Sequence, residues 1–173
     1  MLRLTRSNAV LALGAALALG AALGAATPGA AEEPAAAPPG DAGSAGAVIF
    51  ANRCAVCHGA DAAGIPGSFP SLHEQVVAFG KIPQGRDYLV MVVTTGLMGA
   101  LKVGGVSYNG VMPAQSGLSE AEVAAVLSYL AGGRDKNSSG AALLSASDVI
   151  DARARHADKS AQATRALRPA TDL

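Results

Sequence analysis

Only two cysteines occur in the 173-residue sequence, Cys54 and Cys57, and His58 directly follows the second. Two thiols separated by two residues and followed by an imidazole form the C-x-x-C-H pattern. In this pattern each thiol forms a thioether with a vinyl group of a porphyrin, and the histidine binds the iron from one face. The segment therefore predicts one covalently attached haem c.

Two other chemistries use similar residues. A C-x-x-C pair is also the active site of disulfide oxidoreductases, but these need an alternation of strands and helices that the sequence does not show. A zinc site is the second alternative, with His58, His73 and His156 as the remaining soft ligands. Half of the residues are apolar but only 3% are aromatic, so a bulky cofactor would supply volume that the core lacks. This composition favours haem.

The N-terminal segment 1–31 has the pattern of an export signal. Arg3 and Arg6 precede a run from Ala9 to Ala26 that contains only Ala, Gly, Leu and Val. We expect cleavage and a periplasmic protein, whereas an uncleaved segment would be a membrane anchor. Cleavage removes two arginines and no acid, leaving 11 basic and 13 acidic residues and a formal charge of −2. This balance gives no electrostatic reason to expect a nucleic-acid partner.

The remaining chain divides by composition. Residues 32–45 are rich in Ala, Pro and Gly and predict a flexible linker, so the folded domain is expected over 46–133, with an extension over 134–173. A short amphipathic helix should lead from Gly46 into the cysteine motif, followed by a loop over 64–70 and a helix over 71–79. Residues 87–95 have strand propensity, but a possible cap at Asp87 favours helix.

Two later segments contrast sharply. The glycine-rich residues 96–117 predict an extended loop. Ser119 and Glu122 then have the spacing of a capping box, and an apolar face follows until Gly132, so this is the clearest predicted helix. Beyond it, residues 145–157 predict one more helix, and the last dozen residues are expected to fray.

From Gly46 to Leu130 the sequence resembles the monohaem class I cytochromes c. The likeness rests on the following segments: Gly46 and Phe50, Cys54 to His58, Phe69-Pro70-Ser71-Leu72, and Tyr108-Asn109-Gly110-Val111-Met112-Pro113. The resemblance implies an all-α cytochrome c fold, in which short helices surround one haem. It also implies that Gly46 and Phe50 meet Tyr129 and Leu130 where two helices cross.

The resemblance further implies how the cofactor is held. Met112 would be the second axial ligand, held by the glycine-rich loop, with Met91, Met98 and His73 as less favoured candidates. The backbone carbonyl of Pro70 would accept a hydrogen bond from the second ring nitrogen of His58. Tyr108 would either reach a haem propionate or cover the loop, and both roles remain open.

Ligand identity then predicts function. Iron bound by His58 and Met112 has a raised reduction potential and no open site for oxygen or peroxide. We therefore expect an electron carrier rather than an enzyme, either free or as the cytochrome subunit of a dehydrogenase or oxidase pathway. Its partners would be a donor dehydrogenase and an acceptor cytochrome or oxidase. The alternative is a haem enzyme or gas sensor with a displaceable sixth ligand.

Basic residues of the extension offer a weaker signal. They are Arg153, Arg155, Lys159, Arg165 and Arg168. Acidic residues lie among them, so a solvated helix is favoured over a docking site for an acidic partner.

Overall fold

The computed structural model describes residues 42–133 and 142–170. The predicted export signal and residues 32–41 of the predicted linker lie outside these ranges, as do residues 134–141 of the extension. Within the described ranges, no helix combines the length and the apolar character needed to cross a bilayer.

The first helical stretch is continuous but changes its winding. Helix α1 (Ala42–Ile49) runs into a π-helical segment (Phe50–Cys54), which leads into the short helix α2 (Ala55–His58). The helix thus begins four residues before Gly46, so the predicted linker does not extend to residue 45. Alanine at positions 42 and 45 favours helix, and packing on a later helix supports a segment whose composition alone suggested flexibility.

Five further helices complete the helical part of the described chain. They are α3 (His73–Gly80), α4 (Pro83–Thr95), α5 (Glu120–Ser128), α6 (Ala146–Arg155) and α7 (Ala161–Thr164). A π-helical segment (Tyr129–Gly133) continues α5, and a 3-10 turn (Arg165–Leu167) follows α7. The predicted capping box is confirmed at α5, where the Ser119 amide donates to Oε2 of Glu122 at 2.7 Å.

The crossing of α1 with α5 and its π-helical continuation has the contacts that the family resemblance implied. The rings of Phe50 and Tyr129 lie 5.7 Å apart between centroids, and Leu130 belongs to the same buried cluster. A Cβ atom on Gly46 would overlap the Ala125 carbonyl oxygen and come within 2.7 Å of the Tyr129 Cβ. Glycine at this position therefore allows the helices to approach closely.

Helix α4 resolves the ambiguity over residues 87–95. The run 90–93 has strand propensity, yet it lies mostly in the core, where burial on a helical face outweighs that weak local preference. The proposed cap was wrong, because the helix begins earlier, with Pro83 in its first turn. Asp87 instead binds Arg155 and His156 of the extension.

The predicted loop over 96–117 was wrong, and the all-α description must be corrected to include a small sheet. Strands β1 (Leu97–Val103) and β2 (Val106–Met112) form an antiparallel hairpin in which Leu97 pairs with Met112. The turn between the strands is Gly104-Gly105, and both residues have positive φ, which suits a tight two-residue hairpin. The glycines that suggested irregular chain therefore make a sharp reversal possible.

The described part of the extension packs on the domain. Val149 and Ala152 of α6 are buried, and so is Thr164 of α7. The predicted helix over 145–157 is confirmed as α6, whereas the predicted fraying is wrong for residues 162–170 because Thr164 anchors them. The basic residues are also not simply solvated: Arg153 pairs with Glu120, and Arg155 pairs with Asp87.

The Asp87 contacts yield a pH-dependent prediction. The hydrogen bond from Arg155 lowers the pKa of Asp87, and His156 acts in the same direction against the effect of burial. A carboxylate with a lowered pKa in the folded state stabilises the fold above its unfolded pKa of about 4, and this contribution disappears as pH falls through the folded pKa. Asp87→Asn should therefore cost about 1–2 kcal/mol at neutral pH, and the difference from wild type should shrink below about pH 4.

The measurement is denaturant unfolding of the oxidised holoprotein at several pH values. Asp158→Asn is the matched control, because Asp158 is 76% exposed and pairs only with its neighbour Lys159. The control should leave the free energy of unfolding unchanged. An equal loss in both variants, or a loss at Asp87 that persists in acid, would contradict the assignment.

Candidate haem site

The two cysteines lie on one side of the same helical stretch. Cys54 ends the π-helical segment and Cys57 lies in α2, so a separation of three residues brings them to one helix face. Both thiols are free and partly buried. Burial raises the pKa of the Cys54 thiol, with the charge of Arg53 acting weakly in the opposite direction. A disulfide oxidoreductase needs a lowered thiol pKa, so this environment disfavours that chemistry.

His58 is positioned as a neutral ligand with one nitrogen available. Its side chain is buried, with only 6% of the residue exposed, and Nδ1 lies 2.9 Å from the Pro70 carbonyl oxygen. Because a carbonyl only accepts hydrogen bonds, Nδ1 carries the proton and the lone pair is on Nε2. Burial lowers the pKa of His58, although the bond to Pro70 opposes this shift. A neutral imidazole with a free Nε2 is the form that binds iron.

The loop between α2 and α3 brings Pro70 back to His58. The Gly64 amide donates to the His58 carbonyl at 2.8 Å, and backbone hydrogen bonds join Ile65 to Phe69. A Cβ atom on Gly64 would overlap the Phe69 carbonyl oxygen and lie 2.6 Å from the Pro70 carbonyl carbon. Gly64 also has a φ of +73°. This glycine is a functional position that the sequence analysis missed, because its role depends on the backbone that folds over it.

Met112 is the last residue of β2 and is partly buried. The strand pairing places Leu97 opposite Met112 and Leu101 opposite Tyr108, and side chains alternate along a strand. Met112 and Tyr108 therefore share the more buried face of the hairpin. The chain after Met112 is fixed to α4, since the Gln115 amide donates to the Val93 carbonyl at 2.8 Å.

The competing ligands occupy different environments. Met98 projects from the opposite face of the hairpin and is 42% exposed, whereas Met91 is buried within α4. His73 is an exposed residue at the start of α3. His156 binds Asp87 through Nε2 at 3.0 Å. Within residues 42–133 and 142–170, no three His, Cys, Asp or Glu side chains converge as a zinc site requires.

Cavities do not coincide with the cysteine motif. One of about 510 Å³ runs along the hairpin, where Leu101, Tyr108 and Gly67 contribute to its wall. Another, of about 450 Å³, lies between α4 and α6. Neither is lined by the cysteines or by His58, so the site is defined by its donor atoms and their hydrogen bonds rather than by a cavity outline. Tyr108 lies at the hairpin cavity, which is compatible with both roles considered for it.

Comparison with known proteins supports the same chemistry. The family model for cytochrome c matches residues 43–133. Cytochrome c-552 from Thermus thermophilus is 44% identical over 86 residues, which make up 50% of this chain and 65% of the relative. A second cytochrome c-552, from another strain of Thermus thermophilus, is 44% identical over the same length and is covered to 57%. The match thus spans less than two thirds of each relative.

The crowding around Gly64 predicts a selective defect. Gly64→Ala should force the Pro70 carbonyl away from His58, because the new methyl group occupies the same space. The loss combines backbone strain of about 1–2 kcal/mol with roughly 1–3 kcal/mol for the displaced hydrogen bond. Denaturant unfolding gives the free energy, and the NMR exchange rate of the His58 Nδ1 proton reports the bond.

Gly67→Ala provides the control, since Gly67 has a φ of +79° in the same loop but open space around its Cβ position. This variant should show the strain alone, with slow exchange of the His58 proton. Equal losses in the two variants and unchanged exchange in Gly64→Ala would show that Pro70 does not fix the ring.

Proposed function

Because the chain belongs to the cytochrome c family, we propose that it is a periplasmic one-electron carrier whose iron is bound by His58 and Met112. Family membership entails a covalent haem c, attached through the Cys54 and Cys57 thioethers. The finer assignments, namely the ligand pair, the compartment and the partners, form the proposal.

The state of His58 carries this proposal. Its imidazole is buried and neutral, and the bond to Pro70 fixes both the tautomer and the plane of the ring. An edge contact with Phe69, at 6.4 Å between ring centroids, further limits rotation. A ring held in this way presents Nε2 in one direction, so the donor set fits the iron of haem c without rearrangement of the motif.

The attachment segment lies at the protein surface. Val56, between the two cysteines, is 83% exposed, while Cys54 packs against the core. When bound, haem c supplies a one-electron couple between ferric and ferrous iron. Sulfur atoms anchored on either side of a surface residue keep one edge of the site accessible, so a partner needs only a brief surface contact. This arrangement suits electron exchange rather than binding of a substrate.

Met112 is proposed as the second ligand because the hairpin places it on the partly buried face, next to backbone that is fixed to α4. Gly96 permits this placement, since a Cβ atom there would lie 2.7 Å from the Met112 carbonyl oxygen. A thioether sulfur favours ferrous iron and therefore raises the reduction potential. It also occupies the sixth position, which leaves no site for oxygen or peroxide and separates a carrier from a haem enzyme.

The proposed compartment and partners follow from the chemistry of the chain. Segment 1–31 has the pattern of an export signal, which supports a site of action in the periplasm. We propose a donor dehydrogenase and an acceptor cytochrome or oxidase as partners. Transient redox contacts are small and wet, which agrees with partial rather than continuous apolar exposure around Val56.

Substitution of Met112 distinguishes a carrier from a gas sensor. Met112→Ala should open the sixth position, so the reduced variant binds carbon monoxide rapidly and stoichiometrically while the wild type does not. Carbon monoxide titration followed by absorbance measures this difference. Met98→Ala is the control, because Met98 lies on the other face of the same hairpin. Rapid binding by the wild type, or by the Met98 variant alone, would contradict the proposed ligand.

Voltammetry of the mature holoprotein tests the function itself. A carrier should give one reversible wave that corresponds to a single electron, and addition of oxygen or peroxide should leave the current unchanged. A catalytic current in the presence of either oxidant would indicate a haem enzyme and would overturn the proposal.

A further inference from the structure

Arg168 presents a buried charge without a visible counter-ion. It follows the 3-10 turn of the extension, and its Nε and Nη2 atoms are buried without a hydrogen-bond partner in the structure. The ion pairs of the described residues use Asp87, Glu120 and Asp158, and none of them includes Arg168. Removing a guanidinium from water without an anion costs several kcal/mol, so this arrangement needs an explanation.

The aromatic neighbours of Arg168 compensate for only part of this cost. Its guanidinium carbon lies 5.3 Å from the centroid of the Phe79 ring, and Phe79 packs edge-on against Tyr88 at 5.5 Å. A cation–π contact contributes about 0.5–2 kcal/mol, less than the desolvation of the charge. The charge of Arg168 and a hydrogen bond from it also act on Tyr88, where they oppose the rise in pKa that burial causes. These contacts supply no negative charge, so an anion is still required.

The position of Arg168 is fixed rather than accidental. Thr164, one turn earlier, is fully buried, and the Leu167 carbonyl accepts a hydrogen bond from Gln84 of α4. Arg165 donates to the Ala100 carbonyl at 3.1 Å, which joins this turn to the hairpin that carries Met112. Contacts with α4 and with the hairpin thus hold the turn beside elements of the proposed site.

We propose that Arg168 pairs with a propionate of the haem, so that the C-terminal extension supplies a counter-charge to the cofactor. The cofactor brings two carboxylates into the protein, and a guanidinium is the side chain best suited to bind a carboxylate in a partly desolvated site. This inference rests on the proposed function for the position of the haem between His58 and the hairpin. Arg168 would be a positioning residue that also adjusts the reduction potential.

The sign of the electrostatic effect is fixed. A positive charge beside a propionate stabilises the ferrous state, because reduction removes one positive charge from the iron. Arg168→Gln should therefore lower the reduction potential, by on the order of a tenfold change in the equilibrium constant, which is about 59 mV for one electron. Arg168→Lys keeps the charge and should recover most of the potential.

Arg165→Gln is the matched control. Arg165 belongs to the same turn and carries the same charge, but it is exposed and binds only a backbone oxygen. Solvent screens an exposed charge, so this variant should shift the potential much less than Arg168→Gln. Potentials are measured by voltammetry of the full-length holoproteins, and thermal unfolding monitored by circular dichroism shows that each variant is folded.

The outcomes separate this inference from the function on which it rests. If Arg168→Gln is folded, remains closed to carbon monoxide and keeps the wild-type potential, Arg168 has another anion and the inference is wrong. A loss of stability without a shift in potential has the same meaning, even if lysine restores it. Failure of the proposed function would appear in the wild type instead, as an iron that binds carbon monoxide freely.

Discussion

The orientation of one imidazole ring governs the rest of the structure. His58 is the last residue of its helix, and its Nδ1 proton is donated to Pro70, twelve residues later. The chain must turn sharply to make this contact, which explains the crowding at Gly64 and the backbone bonds that close the loop. Without the contact, the cysteines would still attach a porphyrin, but the iron would meet a rotating ring. The cysteine motif and the loop therefore act as one unit.

The packing answers the shortage of large side chains in a second way. The three phenylalanines all meet another ring: Phe50 contacts Tyr129, Phe69 contacts His58, and Phe79 contacts Tyr88. Elsewhere, small residues let helices approach closely, as Gly46 does at Ala125. The scarce aromatic area is thus placed at the helix crossing, beside the proposed axial ligand and beneath Arg168. Valine, leucine and alanine fill most of the remaining core.

Features with local causes could be predicted from the sequence. The cysteine motif and the Ser119–Glu122 capping box depend on residues within four positions of each other, so their spacing was informative. The hairpin was missed because Gly104-Gly105 is equally consistent with a loop until two strands are seen to pair across it. The environments of Asp87 and Arg168 depend on contacts with segments about 70 to 90 residues away, which periodicity and charge patterns do not encode.

The central claim is that the iron is held between His58 and Met112, and the methionine methyl signals of the reduced holoprotein test it most directly. In protein labelled with carbon-13 at its methionine methyl groups, the ring current of the haem should shift one methyl resonance far upfield. This resonance should vanish in Met112→Leu, while the other methionine signals stay in the ordinary range. An unshifted Met112 methyl group, or a shifted signal that survives the substitution, would contradict the account.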